Sequence, residues 1–340
     1  MVRPGACTLA LALGSPAGRS GRPRLFLGGG RAYHGSVRPL TVLAVLLVVL
    51  VGGLGLAFAF MRGEDGTDDT SAHVLLAAGD IAECDDEGDE ATAEILARFP
   101  NATIQTLGDN AYPQGTSTEF DDCYGPSWGK YKDRTWGATG NHDHSTKDAQ
   151  GYSDYFGERG GPFDKYYYSY DLGSWHVVVL NGDCWRIEGC EFGDPQVQWL
   201  RDDLAAHPSR CTLAVAHRPP FSSGRYGEPK DTRRVQPIWQ TLYERGVELF
   251  LTAHEHSYER FAPMNAEGER DDERGVRLFI AGTGGGNLRP FKYDPLPTTE
   301  VRNDDTWGVL KLTLKPAGYD WEFLPVDGKS FTDSGSGTCR

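Results

Sequence analysis

The sequence predicts an α/β fold in which two sheets pack face to face with helices on the outside. Three features predict it: apolar runs of strand length, amphipathic stretches of helical spacing between them, and two blocks of these β-α units that each finish in antiparallel strands. Together the blocks occupy residues 73–340, one large domain without an internal repeat.

His73 to Ala78 is an apolar run closed by Gly79 and Asp80, a buried strand with a polar tip. Glu90 to Phe99 has helical spacing, with Ile95, Leu96 and Phe99 on one face, and Pro100 stops it. Ala102 to Leu107 is the next strand, so strand, helix and strand form a unit that expects a parallel pair. The aromatic-rich stretch Phe120 to Asp133 leads to a strand over Thr135 to Gly140. Tyr166 to Tyr170 and His176 to Leu180 form a hairpin about the turn Asp171 to Gly173. In the second block, Asp194 and Pro195 start a capped helix whose Val197, Leu200 and Leu204 share a face. Cys211 to Ala216 is a buried strand, Thr232 to Arg245 an amphipathic helix ended by Gly246, and Val247 to Thr252 a strand. Val276 to Ala281 adds another, and Trp307 to Leu314 with Tyr319 to Leu324 a closing hairpin.

Residues 1–38 carry six arginines and no acid among Gly, Pro and Ala, the composition of a basic disordered cytoplasmic tail. Thr41 to Phe60 is uncharged and long enough to cross a hydrocarbon core, so residues 39–61 read as a transmembrane anchor or signal segment. Ala57, Phe58 and Ala59 form a small-x-small cleavage site, which leaves both an uncleaved anchor and a secreted product open. Arginines before the segment and Glu64, Asp65, Asp68 and Asp69 after it put the domain outside, beyond a linker over 62–72. The formal net charge is −14, and the seven arginines up to Arg62 all precede the domain, which is therefore more acidic still. That field disfavours DNA or RNA as a ligand.

Six cysteines follow the apolar segment, an even count that outside the cell implies disulfides, with fifteen pairings open. The pairing adopted is Cys184 with Cys190 across a short loop and Cys84 with Cys123, leaving Cys211 with Cys339. No C-x-x-C spacing supports a thiolate metal site.

The chemistry gathers at run ends. Leu107 is followed by Gly108, Asp109, Asn110 and Tyr112; four other runs end at Asp80, at Asn141-His142-Asp143, at His217, and at His254-Glu255-His256. One such turn is ordinary, since Gly-Asp-Asn is a common turn with a capping Asp. Five in one chain are a site, because a sheet brings its strand ends to one edge. The oxygen and imidazole donors suit Fe, Mn or Zn and not soft metals. His254 and His256, two apart on an extended segment, would point the same way and leave Glu255 pointing away.

In this order the stretches resemble the metallophosphoesterases, and within them the purple acid phosphatase branch. That branch's signature runs Gly-Asp, Gly-Asp-x-x-Tyr, Gly-Asn-His, a strand-end His, and His-x-His followed by Tyr-Glu-Arg; the match here runs from Val74 to Gly286. The resemblance implies a four-layer α-β-β-α sandwich of two mixed sheets. It implies two ions, one on Asp80, Tyr112 and His256, the other on Asn141, His217 and His254, with Asp109 bridging. Fe3+ is expected at the Tyr112 site and Fe2+, Zn2+ or Mn2+ at the other. The pair would clamp a phosphate monoester and activate water for in-line attack, with His142 donating to phosphate oxygens or protonating the leaving alkoxide.

Some positions depart from the pattern or stand outside it. Ala253 replaces a usual Gly, and the loop Phe221 to Tyr226 lacks histidines many relatives place near the leaving group. Arg218 and Arg225 are left between substrate contacts and inert surface charges. His144 is a candidate support beside the third motif, Tyr258 and Arg260 are read as braces, and 282–286 as a turn beside the site. His34, His73, His176 and His207 are read as bystanders. The expected partner is a small phosphorylated molecule; the alternatives are a phosphodiesterase or nucleotidase with the same ions, and a cell-surface binding protein with a structural metal site.

Overall fold

Alternation along single strands sets the layers. In β1 (His73–Ala78), Leu75 and Ala77 enter one core while Leu76 and Ala78 enter another, so this strand is covered on both faces. The computed structural model describes residues 71–209 and 211–340; the tail over 1–38, the apolar segment over 39–61 and the linker up to residue 70 lie outside the described residues. Among the described residues no helix is long and apolar enough to cross a membrane.

A six-stranded sheet runs β13 (Ser334–Thr338), β12 (Gly318–Pro325), β11 (Gly308–Lys315), β1, β2 (Thr103–Thr106), β3 (Thr135–Trp136). A seven-stranded sheet runs β10 (Thr299–Asn303), β8 (Tyr258–Met264), β9 (Val276–Ala281), β7 (Leu249–Thr252), β6 (Cys211–Val215), β5 (Trp175–Val179), β4 (Tyr168–Leu172). Both are mixed: β1, β2 and β3 are parallel, as are β5, β6, β7 and β9, and the other pairings are antiparallel.

Leu75, Leu310 and Leu312 of one sheet meet Val177, Leu213 and Leu249 of the other in a central core. The helices are α1 (Gly88–Ala97), α2 (Ser117–Glu119), α3 (Gln150–Phe156), α4 (Pro195–Ala206), α5 (Pro229–Thr232) and α6 (Gln236–Glu244). On the outer face of the six-stranded sheet, Leu76 and Ile104 pack with Ile95 and Leu96 of α1. On the outer face of the other, Ala214 and Phe250 pack with Leu200 of α4 and Trp239 of α6. The result is the α-β-β-α sandwich.

Several elements differ from expectation. The helix expected over Thr232 to Arg245 is broken into α5, a 3-10 turn (Arg233–Val235) and α6, because Pro237 has no N–H and belongs in a first turn. The strand expected over Thr135 to Gly140 stops at Trp136. Asp194 does not cap α4; its Oδ2 accepts from Glu191 N instead, at 2.7 Å. Three strands were not legible. Charged residues mask β8, yet Glu259 is buried by accepting from Ser223 and Thr299, and Arg260 by donating to Asp333. β10 and β13 are short and polar.

His176 and His207 are not bystanders. His176 on β5 lies between Asp171, cross-strand on β4 at 2.8 Å, and Asp203 of α4 at 2.9 Å, and the two imidazoles stack at 4.6 Å. The three disulfides are Cys84–Cys123, Cys184–Cys190 and Cys211–Cys339, as expected.

Candidate metal centre

Parallel strands place their carboxyl ends on one edge of each sheet, and the two edges face each other here. Asp80 follows β1, Asp109 and Tyr112 follow β2, and Asn141 and His142 come from the turn beyond β3. His217 follows β6, and His254 and His256 follow β7. Asp80, Asp109, His254 and His256 have φ of 57°, 52°, 75° and 53°, the left-handed region that costs a side-chain-bearing residue energy. Strain gathered on four candidate donors is the pattern of a site overdetermined by its surroundings. The two histidines are therefore not on extended backbone as expected, and they turn inward by different nitrogens.

The donor atoms form two overlapping sets. In the first, the Tyr112 hydroxyl lies 2.8 Å from Asp80 Oδ1 and 3.1 Å from His256 Nε2, with Asp109 Oδ2 at 3.3 Å. In the second, His217 Nε2 lies 3.1 Å from Asp109 Oδ2 and 3.1 Å from His254 Nδ1. Asp109 Oδ2 belongs to both. Asn141 joins the second set indirectly, through a guanidinium that spans its Oδ1 and His254 Nε2.

The supports of these atoms are specific. His217 Nδ1 donates to Leu107 O, His256 Nδ1 to Asn287 O and His142 Nδ1 to Pro113 O, at 2.7 to 2.9 Å, so each presents Nε2 inward. Asp109 Oδ1 accepts from His142 N and Asp80 Oδ2 from His254 N, both at 2.7 Å, which leaves the other oxygen of each facing the donors. Gly140 is obligatory: a Cβ there would stand 2.2 Å from Asp109 Oδ1. Asp143, buried and pushed up to about 7 by burial and by Asp109, ties the turns by accepting from Gly140 N and Asn110 Nδ2.

Electrostatics show what kind of group the cluster suits. Burial would raise the Asp109 carboxyl, but His217, His142 and His254 hold it well below the usual range. Burial would lower His217, but Asp109, Asp80 and Asp183 push it up to about 9. Burial, then Asp109 and Asp80, pushes the Tyr112 phenol well up. Burial, with Arg218 and His217, pushes His254 well down. Buried carboxylates facing imidazole nitrogens in this way suit a cation.

A family model described as calcineurin-like phosphoesterase matches residues 67–258, which hold every one of these donors. The chain belongs to the calcineurin-like phosphoesterase family. It is 29 % identical over 166 residues to purple acid phosphatase 21 of Arabidopsis thaliana, covering 46 % of this chain and 36 % of that protein. It is 29 % identical over 175 residues to human (Homo sapiens) acid phosphatase type 7, covering 44 % of this chain and 40 % of that protein. The chain thus spans well under half the length of these relatives. The solved purple acid phosphatase PPD1 of yellow lupin (Lupinus luteus) superposes with a TM-score of 0.63 at 19 % identity, covering 78 % of this chain and 54 % of that one, and shares the fold. The family implies a dimetal centre, and the two overlapping donor sets are the candidate place for it.

The rim of this candidate site joins residues weighed in the sequence with others, such as Tyr226, Asn181 and Asp183, that no motif marked. Glu255 does point away, and it is buried, pushed up to about 7 by burial, and accepts from Tyr226 N at 3.0 Å. That bond seats Tyr226 flat on His254, ring centroids 4.4 Å apart. Arg289 lies over the Tyr226 ring, 5.8 Å from its centroid. His144 is buried and bonded to Asn181, and 282–286 packs on the first motif, with Gly286 N donating to Asp80 O. Arg218 is fixed in the site while Arg225 is exposed. Beyond β5, Asn181 and Asp183 are buried beside the site. Their signal was present: an apolar run ended by Asn-Gly-Asp, like the other site ends.

Proposed function

We propose that this domain is a binuclear metal-dependent phosphohydrolase that cleaves small phosphate monoesters outside the cytoplasm. The observation that carries the reading is the pair of donor sets sharing Asp109 Oδ2, each completed by imidazoles whose other nitrogen is fixed by a partner. Asp80, Tyr112, His256 and Asp109 would hold one ion, and Asp109, Asn141, His217 and His254 the other. The hard phenol oxygen favours Fe3+ in the first set; Fe2+, Zn2+ or Mn2+ suits the second. Bound there, the pair supplies charge neutralisation for a phosphoryl group and acidifies water.

The chain's own groups do the rest. His142 is 31 % exposed at the mouth, its Nδ1 fixed on Pro113 O and its Nε2 3.9 Å from Asp109 Oδ2. It is placed to bond a phosphate oxygen and to pass a proton to the departing alkoxide. Tyr226 and Glu255 keep His254 oriented and shield it from solvent. Three disulfides support an oxidising compartment, and residues 39–61 would tether or export the domain.

The test is metal analysis and a visible spectrum of the purified chain with its disulfides intact, beside hydrolysis of a chromogenic phosphate monoester and diester. Two metals per chain, a tyrosinate-to-iron band and monoester turnover are expected. Two metals without the band would replace iron by Zn or Mn in the first set, and a chain that binds no metal would sink the proposal.

A further inference from the structure

We infer that Arg218 holds the terminal oxygens of a phosphate monoester, and that filling the second donor set frees it to do so. The inference rests on the dimetal reading above. Arg218 directly follows His217, and its side chain is 15 % exposed. Its Nε donates to Asp183 Oδ1 at 2.9 Å, and Asp183 is wholly buried with no hydrogen-bond partner on Oδ2. Its guanidinium lies over the Trp185 ring, 4.9 Å from the centroid. A buried carboxylate and an aromatic face therefore fix the group while leaving both terminal nitrogens to point into the site.

Those two nitrogens have telling partners. One donates to His254 Nε2 at 2.8 Å and the other to Asn141 Oδ1 at 3.1 Å, both belonging to the second donor set. Arginine has no acceptor, so His254 must accept at Nε2 and carry its proton on Nδ1. Yet Nδ1 is the nitrogen that faces His217 Nε2 and Asp109. With an ion held at Nδ1, His254 would carry its proton on Nε2, which could not then accept from Arg218. Asn141 Oδ1, if it held the same ion, would give up the other nitrogen as well. Both terminal donors would then be free together, while Asp183 and Trp185 hold the guanidinium at the rim.

A paired N–H fork without an acceptor, in a partly buried position, recruits an anion with two oxygens to offer. A phosphate monoester has three terminal oxygens and up to two charges, so it can fill the fork and still reach the cations. A diester has two terminal oxygens and one charge, and must leave one group unmet. Arg218 thus favours monoesters over diesters. Arg225 cannot share this role because it is exposed, and Arg289 is directed to Tyr226.

The experiment compares the metal-loaded full chain with Arg218→Gln and Arg218→Lys in three readouts: metal per chain, calorimetric affinity for inorganic phosphate, and kcat/KM for 4-nitrophenyl phosphate against bis(4-nitrophenyl) phosphate. Metal content should stay at two. Phosphate affinity and monoester kcat/KM should fall on the order of 10- to 100-fold for Gln and less for Lys, while diester kcat/KM moves by a smaller factor. Unchanged phosphate affinity with an unchanged monoester-to-diester ratio overturns the inference. Loss of metal from Arg218→Lys overturns it too, since Arg218 would then be scaffold for the ions. If Arg218→Gln fails to fold because Asp183 is left unpaired, the double variant with Asp183→Asn gives the same readouts. A parent that binds no metal and cleaves no ester overturns the dimetal reading itself, and is recognised without reference to any variant.

Discussion

At Asp109, one carboxylate oxygen accepts from the backbone of the next motif while the other meets two potential ligands of the site, Tyr112 and His217. Single residues here divide cleanly between holding and reacting. His142 is proposed as the second kind: its ring lies 3.9 Å from Asp109 Oδ2 and packs on the Tyr112 ring with centroids 4.5 Å apart, bonding neither, so removing it should leave both donor sets intact. His142→Ala should therefore keep two metals per chain and lose about 10²- to 10⁴-fold in kcat with a monoester, as steady-state kinetics alongside elemental analysis would show. Loss of metal with activity would move His142 into the ligand set. What sequence could show at this scale follows from the same division. Asp80, Asp109, Tyr112, His217, His254 and His256 were legible because each sits within a few residues of a strand end. Arg218 was legible only as a charge left between substrate contact and inert surface, and Asp183 and Tyr226 not at all, because their roles come from neighbours 35, 35 and 29 residues away in the chain. A charge that reads as surface in sequence is thereby built into the site.

Elements that looked featureless in sequence carry a second electrostatic feature. β4, β5 and α4 meet at His176, an imidazole between Asp171 and Asp203 whose hydroxyl neighbour Ser169 also donates to Asp203. Burial would lower His176, but the two carboxylates raise it above its ordinary value, and burial against His176 and Ser169 leaves Asp203 lowered. A raised histidine contributes stability that is complete below its unfolded pKa, near 6.5, and is lost as pH rises through the folded value. A lowered carboxylate contributes stability that is complete above about 4 and is lost as pH falls through its folded value. The joint contribution is then full between about pH 4 and 6.5 and wanes above. Denaturant unfolding from pH 5 to 9 should show the parent losing on the order of 1 kcal/mol relative to His176→Gln as pH rises. A constant difference would mean that His176 stays neutral. No spacing rule joins these residues, since the cross-strand register of β4 and β5 and the docking of α4 bring them together.

For the whole molecule the strand β6 is the axis. It begins at Cys211, bridged to Cys339 beyond β13 of the other sheet, and leads two residues past its end to His217, whose imidazole meets Asp109 from that same opposite sheet. The links at the two ends of this segment thus join the two halves of the sandwich, one by a covalent bond and one through the candidate metal centre. Fold class and layer order could be read ahead because apolar alternation and β-α order are local, whereas this closure depends on residues 128 apart. Filling the site should stabilise the native chain by about 2.7 kcal/mol for each ion present at 100 times its Kd. Removing the bridge by Cys211→Ala with Cys339→Ala should cost about 2–5 kcal/mol. Cys211 and His217 are six residues apart along this segment, roughly 20 Å at the usual strand rise, which is far enough for their effects to add. Denaturant unfolding of parent and double variant, each with and without a strong chelator, should give equal chelator effects in both. A chelator effect that disappears with the bridge would show that the site forms only when the far end is closed. Indifference of the parent to chelation would mean that bound ions add nothing to the apolar core, the disulfide and the polar contacts, such as Arg260 with Asp333, that join its two sheets.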